Sequence, residues 1–189
     1  DPTLARGRHA YWVVDPLDGT RNFTRGFPCF ATSIALVEAG LPVVGVIREH
    51  MTGRLYSAIS GCGAHVDGKP MRVNENPLDR DFFVGVPSVK SDESPATIER
   101  LLARVNVRNI GSTAVHLALV ANGAIDAAYA LRCYAWDIAA GLLMIQEAGG
   151  IFSTPDGKPC LPLIADQQPM STTPVLAAGR EGHRPLLDL

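Results

Sequence analysis

The chain has 189 residues, of which 47% are hydrophobic and 19% charged, and its formal net charge is −2. This apolar content can build a core and excludes a largely disordered chain, while the small net charge argues against a general nucleic-acid binder. No apolar run reaches the roughly 18 residues of a membrane span, and the polar first residues predict no signal peptide.

The cysteines and histidines exclude several classes of site. The four cysteines, Cys29, Cys62, Cys133 and Cys160, lie far apart without a CxxC pair, which excludes zinc-ribbon and thioredoxin-type sites. We expect buried thiols in a reducing compartment, the cytoplasm. The histidines lack the HxH or HExxH spacing of a zinc site, and no serine lies in a G-x-S-x-G motif.

The first half of the sequence predicts antiparallel strands. Short apolar runs, separated by Gly, Pro and Asp turn signals, are typical of a meander. The predicted strands cover residues 11–14, 30–37, 43–48, 54–57 and 64–66. The Gly61-x-Gly63 pair continues into no GxGxxG motif and no helix, so it predicts a hairpin turn and not a dinucleotide-binding loop.

The second half alternates between strand and helix patterns. Strands are predicted over residues 82–86, 105–110, 125–131 and 175–178. Helices are predicted over residues 95–103, after a capping Ser112, and over residues 138–148 where Asp137 opens the helix. This alternation favours an α/β half on a mostly parallel or mixed sheet. We therefore divide the chain into residues 1–77 and residues 78–189, each half carrying one motif described below.

The motif Asp15-Pro16-Leu17-Asp18-Gly19-Thr20 follows an apolar strand. Pro16 fixes the backbone, so the turn can bring Asp15, Asp18 and the Leu17 carbonyl to one side. Two carboxylates and a carbonyl are hard oxygen ligands that suit magnesium. The backbone N–H groups of Gly19 and Thr20 are then free to bind a phosphate oxygen. The alternative is an ordinary Asp-Gly turn with a capping carboxylate.

A second motif runs from Trp136-Asp137 to Gly149-Gly150. Asp137 alone is readable as a helix-capping residue. Glu147 lies near the end of the predicted helix, where it opposes the helix dipole, so we expect it to have a structural partner.

Together the two motifs resemble the paired signatures of the inositol monophosphatase family, which are magnesium-dependent, lithium-sensitive phosphomonoesterases. The similar segments are residues 15–23 (DPLDGTRNF), 26–35 (GFPCFATSIA), 111–115 (GSTAV) and 136–150 (WDIAAGLLMIQEAGG). The resemblance implies a layered αβαβα sandwich, in which an antiparallel meander half joins an alternating α/β half. It also implies Mg²⁺ as cofactor, a small phosphorylated substrate such as an inositol monophosphate, and a homodimer.

The resemblance assigns metal ligands and catalytic residues. It implies that Asp15, the Leu17 carbonyl, Asp18 and Asp137 bind metal, with Asp15 bridging two ions. It further implies that Thr20 orients the attacking water, so that Asp15, Asp18, Thr20 and Asp137 form the catalytic set.

The same resemblance places a substrate around these residues. Gly19 and Thr20 would bind the phosphate through backbone amides, and Asp137 would border the substrate as well. Thr113 is a candidate on the substrate side and is equally readable as a helix N-terminal residue. Arg132 is a candidate for binding a second phosphate or a carboxylate, or else a solvated surface charge.

Two departures from the family pattern keep other functions open. The Gly-Glu-Glu segment that precedes the first motif in the family has no counterpart before Asp15, so we expect a weakened first metal site and an uncovered sheet face. Ala130 stands where the inositol phosphatases have a glutamate, which leaves a sugar bisphosphatase or a nucleotide 3′-phosphatase as alternatives. A weakly active member that binds RNA or the transcription machinery is a third alternative. For that role Arg100, Arg104 and Arg108 could form a local basic face, or else they are a solvated helix surface.

Overall fold

The computed structural model describes residues 10–88, 96–163 and 172–189. The strands are β1 (Ala10–Asp18), β2 (Ala31–Glu38), β3 (Leu41–Glu49), β4 (Leu55–Ile59), β5 (Ala64–Val66), β6 (Lys69–Pro70), β7 (Phe83–Gly85), β8 (Asn106–Arg108), β9 (Ala127–Cys133), β10 (Ile151–Ser153) and β11 (Thr173–Ala178). The helices are α1 (Thr20–Arg25), α2 (Ala96–Leu102), α3 (Thr113–Ala121), α4 (Ala135–Glu147) and α5 (Arg180–Leu187).

Strands β1 to β6 form one antiparallel sheet in sequence order, which confirms the predicted meander. Side chains alternate between its two faces because the strand period is two residues. On β2, Ala31, Ser33, Ala35 and Val37 are buried, and the residues between them are half-buried. We call the buried side the inner face and the other side the outer face.

The remaining strands form a mixed sheet in the order β10-β11-β9-β7-β8. Strands β7, β8 and β9 are parallel, whereas β9, β10 and β11 pair antiparallel. Helices α3 and α4 contact strands of both sheets, so they form the layer between them. Helices α2 and α5 share a second core with the mixed sheet, formed around Phe82, Ile98 and Leu186. This arrangement confirms the predicted α/β sandwich, and its division into two domains stays a prediction.

Small residues allow α4 to lie close to its neighbours. A Cβ atom on Gly45 of β3 would lie 3.1 Å from the Cα of Ala140, so this strand and α4 meet backbone to backbone. A Cβ atom on Gly141 would lie 2.6 Å from Cβ of Leu117 in α3. The sequence Ala139-Ala140-Gly141 is thus explained by packing between the two sheets.

We expect Gly141→Ala to destabilise the chain, although alanine is the better helix former. The helix gains about 1 kcal/mol from the substitution, but the added methyl overpacks a buried contact at a cost of roughly 1–3 kcal/mol. Chemical denaturation should show a net loss of up to about 2 kcal/mol in the free energy of unfolding. The double variant Gly141→Ala/Leu117→Ala should lose less stability than the sum of the losses in the two single variants. A Gly141→Ala variant that is more stable than the wild type would contradict the close approach of α3 and α4.

The outer face of the meander sheet carries apolar side chains in register. Trp12, Leu36, Val44 and Ile59 pair side by side across four strands, and Trp12 is 63% exposed. Ile59 is 53% exposed and Leu36 and Val44 are half-buried, so this row lies on the more exposed side of the sheet.

Several boundaries differ from the sequence predictions. Helix α4 begins at Ala135, so Asp137 lies inside its first turn and does not open the helix. Strand β1 continues to Asp18, past the predicted end at residue 14. Helices α1 and α5 and strands β6 and β10 were not predicted.

The cysteine prediction is confirmed only in part. All four thiols are free; Cys29 and Cys133 are buried and Cys160 is half-buried, but Cys62 is exposed in the turn after β4. In the part of the chain that the structure describes, no helix has the length and apolarity needed to cross a membrane.

Candidate metal centre

The first motif forms a β-bulge at the end of β1. Asp15 pairs with Ser33 and Asp18 pairs with Ala31, so β1 has one more residue than β2 in this interval. A proline fits here because it cannot donate a hydrogen bond to the ladder. The Leu17 N–H donates to Asp15 Oδ1 over 3.0 Å. A bulge re-aims the side chains around it, so the motif brings both carboxylates to one site.

Asp18 is held by the N-terminus of α3. Its Oδ2 accepts hydrogen bonds from Ser112 Oγ and from the Ala114 N–H, both over 2.6 Å. Ser112 also accepts from the Val115 N–H over 3.2 Å, which confirms its predicted role as the helix cap. Burial raises the pKa of Asp18 and the negative charge of Asp15 adds to this, whereas the two hydrogen bonds act in the opposite direction.

Asp137 approaches from the first turn of α4. Its Oδ2 accepts a hydrogen bond from the Tyr134 N–H over 2.8 Å. The pKa of Asp137 is raised to about 7, mainly by burial and in addition by the negative charges of Asp18 and Asp15, against the opposing effect of the Tyr134 N–H. Two half-buried carboxylates therefore disfavour ionisation while no cation neutralises them.

These three aspartates meet at one point. Asp15, Asp18 and Asp137 each place one carboxylate oxygen within 4.8 Å of the other two. Among the described residues, no lysine or arginine forms an ion pair with any of them. Converging hard carboxylate oxygens fit a divalent cation, which would bind the carboxylates and relieve their repulsion.

The Leu17 carbonyl, Gly19 and Thr20 lie beside the carboxylates. Thr20 Oγ1 donates to the Leu17 carbonyl over 2.8 Å. Gly19 has a φ of 83°, and a Cβ atom there would lie 2.9 Å from the Cys29 carbonyl oxygen. Only glycine fits this turn, because a side chain would meet strain and collision together.

The carboxylates open into a cleft of about 420 Å³. Its lining includes seven of the eight predicted site residues, namely Asp15, Leu17, Asp18, Gly19, Thr20, Thr113 and Asp137. Arg132 is exposed on β9 and does not belong to this lining, so its role in binding substrate stays a prediction.

Sequence reasoning missed three features of the cleft. Asn22 donates from Nδ2 to the carbonyls of Cys29 and Ile110, each over 2.7 Å, and so ties α1 to the loop before α3. Tyr134 and Trp136 stack with centroids 4.5 Å apart. His116 is buried in the lining, and its Nε2 has no hydrogen-bond partner among the described residues. Asn22 and Trp136 lie within the two recognised motifs, and this position in the sequence was the signal that could have identified them as part of the site.

Comparison with known proteins shows the family of this chain. Residues 3–186 match the sequence profile of the Inositol monophosphatase family. The sequence is 41% identical over 152 residues to the inositol-1-monophosphatase of Mesorhizobium japonicum, covering 77% of this chain and 57% of that protein. It is 38% identical over 152 residues to the Nus factor SuhB of Xylella fastidiosa, covering 77% of this chain and 55% of that protein.

Solved structures extend the likeness to the fold. The inositol monophosphatase from Anabaena (Nostoc) sp. PCC 7120 matches with a TM-score of 0.84 at 32% identity, covering 95% of this chain and 72% of that chain. This chain spans a little over half the length of the curated relatives named above. On the family profile, the identities and the shared fold, the chain belongs to the inositol monophosphatase family.

Proposed function

We propose that this chain carries the catalytic centre of a magnesium-dependent phosphatase that hydrolyses a small phosphomonoester. The observation that supports it is the convergence of Asp15, Asp18 and Asp137 within 4.8 Å beside a cleft. Together with the Leu17 carbonyl, they offer the all-oxygen ligand set that Mg²⁺ prefers.

Bound magnesium would supply positive charge for the phosphate oxygens and lower the pKa of a water molecule. The protein orients the reactants. Thr20 already donates its only hydroxyl proton to the Leu17 carbonyl, so its oxygen is left to accept a hydrogen bond from the attacking water. The amides of Gly19 and Thr20 would hold the phosphate. Asp18 keeps its orientation through Ser112 and Ala114.

The proposed substrate is an inositol monophosphate or a similar small phosphate ester. The leaving group would lie toward Thr113, Tyr134 and Trp136, which also line the cleft. Ala130 lies on β9 at the position where the inositol phosphatases have a glutamate. A sugar bisphosphate and a nucleotide 3′-phosphate therefore stay alternative substrates.

Phosphate release from inositol 1-phosphate, fructose 1,6-bisphosphate and adenosine 3′,5′-bisphosphate tests this proposal. We expect turnover with Mg²⁺ and none in excess EDTA, and the ratios of kcat/KM then rank the three substrates. Calorimetric titration with Mg²⁺ provides a readout that does not require turnover. A chain that neither binds Mg²⁺ nor releases phosphate would contradict the proposal.

A non-catalytic role is the second candidate, favoured by the 38% identity to a Nus factor. Salt-sensitive binding to RNA or to RNA polymerase, without magnesium-dependent turnover, would support it in place of hydrolysis. We further propose a cytoplasmic homodimer. Its support is the four free thiols and the family resemblance, and analytical ultracentrifugation tests the dimer.

A further inference from the structure

The bulge that carries the metal ligands is tied down from the opposite face of the sheet. Thr32 lies between Ala31 and Ser33, the two residues of β2 that pair with the ends of the bulge. Because successive side chains alternate, Thr32 lies on the outer face whereas Ala31 and Ser33 lie on the inner face. The ligands and Thr32 are therefore separated by the backbone of the sheet.

The Thr32 hydroxyl makes two contacts that fix its proton. Thr32 Oγ1 donates to the Pro16 carbonyl over 2.9 Å. It also lies 2.8 Å from His50 Nε2. A threonine hydroxyl has one proton, so His50 must be the donor in the second contact and carry a proton on Nε2. The contacts form a directed path from His50 through Thr32 to the Pro16 carbonyl.

His50 is itself held in place by aromatic contacts. The backbone N–H of His50 donates to the Phe30 carbonyl over 3.2 Å. The His50 ring stacks on the Phe30 ring, with centroids 5.6 Å apart and an interplanar angle of 28°. Phe30 meets Phe23 of α1 edge to face, with centroids 5.2 Å apart. The same cluster thus contacts the helix that follows Gly19.

We infer that Thr32 and His50 are positioning residues for the metal centre, an inference that rests on the proposed function. At the bulge, the Pro16 carbonyl accepts its hydrogen bond from the Thr32 side chain. Losing that partner frees the Pro16–Leu17 peptide group, so the Asp15 carboxylate and the Leu17 carbonyl lose their relative orientation. Outer-shell partners of this kind set metal affinity without touching the ion.

The test compares Thr32→Val with Thr32→Ser in the full chain. Valine keeps the shape and favours a strand, so the melting temperature should stay close to that of the wild type. Calorimetry should show Mg²⁺ affinity weakened about 10-fold in Thr32→Val and restored in Thr32→Ser. The matched control is Thr52→Val, which removes a hydroxyl bonded to Glu49 in a turn outside the cleft.

A double-mutant cycle examines the path to His50. His50→Phe keeps an aromatic ring and removes the donor, and we expect a smaller loss of affinity than in Thr32→Val. The double variant should bind Mg²⁺ no more weakly than Thr32→Val alone, because both changes break one path. If the losses of Mg²⁺ affinity in the two single variants add in the double variant, His50 does not act through Thr32.

Amide hydrogen exchange at Leu17 separates this inference from the proposed function. Faster exchange of that amide in Thr32→Val supports the tether, by which we mean the hydrogen bond from Thr32 to the Pro16 carbonyl. This readout applies whether or not the wild type binds Mg²⁺. If the wild type binds Mg²⁺ and Thr32→Val binds it equally well, the inference is overturned and the proposed function stands. If the wild type binds none, the proposed function fails, and unchanged exchange at Leu17 overturns the tether as well.

Discussion

Asp15→Asn is expected to lower magnesium-dependent phosphate release by about 10³-fold in kcat/KM, because a metal ion contributes several kcal/mol of charge stabilisation. The amide is neutral and offers a single oxygen, so it is a poor replacement for a carboxylate ligand. That oxygen can still accept the hydrogen bond from the Leu17 N–H. The bulge should therefore keep its shape, and the variant should fold like the wild type.

The matched control for Asp15→Asn is Asp81→Asn, an equal change at an exposed position outside the cleft. Asp81→Asn should leave both turnover and Mg²⁺ binding unchanged. Circular dichroism and melting curves of both variants would separate a local loss from misfolding. Undiminished magnesium-dependent turnover in Asp15→Asn would contradict the assignment of this residue as a ligand.

The meander could be predicted because its order is local. Each strand of the first sheet pairs with the next along the chain, and the turns between them carry glycine, proline or aspartate. The end of β1 was harder to place. Pro16 indicated a strand end, but the ladder resumes at Asp18 after one extra residue, and a bulge depends on the partner strand.

The elements that were missed are short or contain helix-breaking residues. Strand β10 has three residues, and α5 includes Gly182 and Pro185, which sequence rules place outside helices. Tertiary contacts override these preferences: Gly182 packs against Phe82, where a Cβ atom would lie 2.6 Å from the ring. Such a contact joins residues 100 positions apart, which local patterns do not encode.

The site was predicted in its ligands and not in the residues that hold them. Asp15 and Asp18 share one motif, but the Ser112 hydroxyl that orients Asp18 is 94 residues away. Ser112 was identified as a helix cap from its local sequence, and only the fold shows that one hydroxyl serves both purposes. Glu147 was likewise predicted to have a structural partner, but the partner itself could not be named from the sequence. It is the hairpin turn between β4 and β5, where the backbone amides of Gly61 and Gly63 donate to the two carboxylate oxygens of Glu147, each over 2.8 Å.

Asp137→Asn is expected to stabilise the chain in the absence of metal while it abolishes metal-dependent turnover. The Asp137 carboxylate, with a pKa raised to about 7 by burial and by Asp18 and Asp15, is costly to ionise in the folded state. Asparagine removes this cost and can still accept the Tyr134 N–H at the start of α4. At pH 8 in EDTA we expect a gain of about 1–2 kcal/mol, since solvent screens part of the repulsion.

The pH dependence of that gain has a defined sign. Below the unfolded-state pKa of 3.8, Asp137 is protonated in both states, and its carboxyl costs nothing. As the pH rises from about 4 to about 7, the unfolded chain releases the proton before the folded chain does, so wild-type stability falls. The difference between Asp137→Asn and the wild type should grow over this interval and stay constant above it. Asp81→Asn should follow the wild-type curve.

Magnesium should reverse the order of the two proteins. An ion that binds only the folded state stabilises it by about 2.7 kcal/mol at 100 times its dissociation constant. The wild type gains this energy, which already includes the relief of repulsion among its three carboxylates, whereas Asp137→Asn lacks one ligand and gains less. Melting curves at pH 8 with EDTA and with Mg²⁺ would therefore cross. A wild type that is the more stable protein in EDTA would contradict the view that folding stability is given up here for a metal centre.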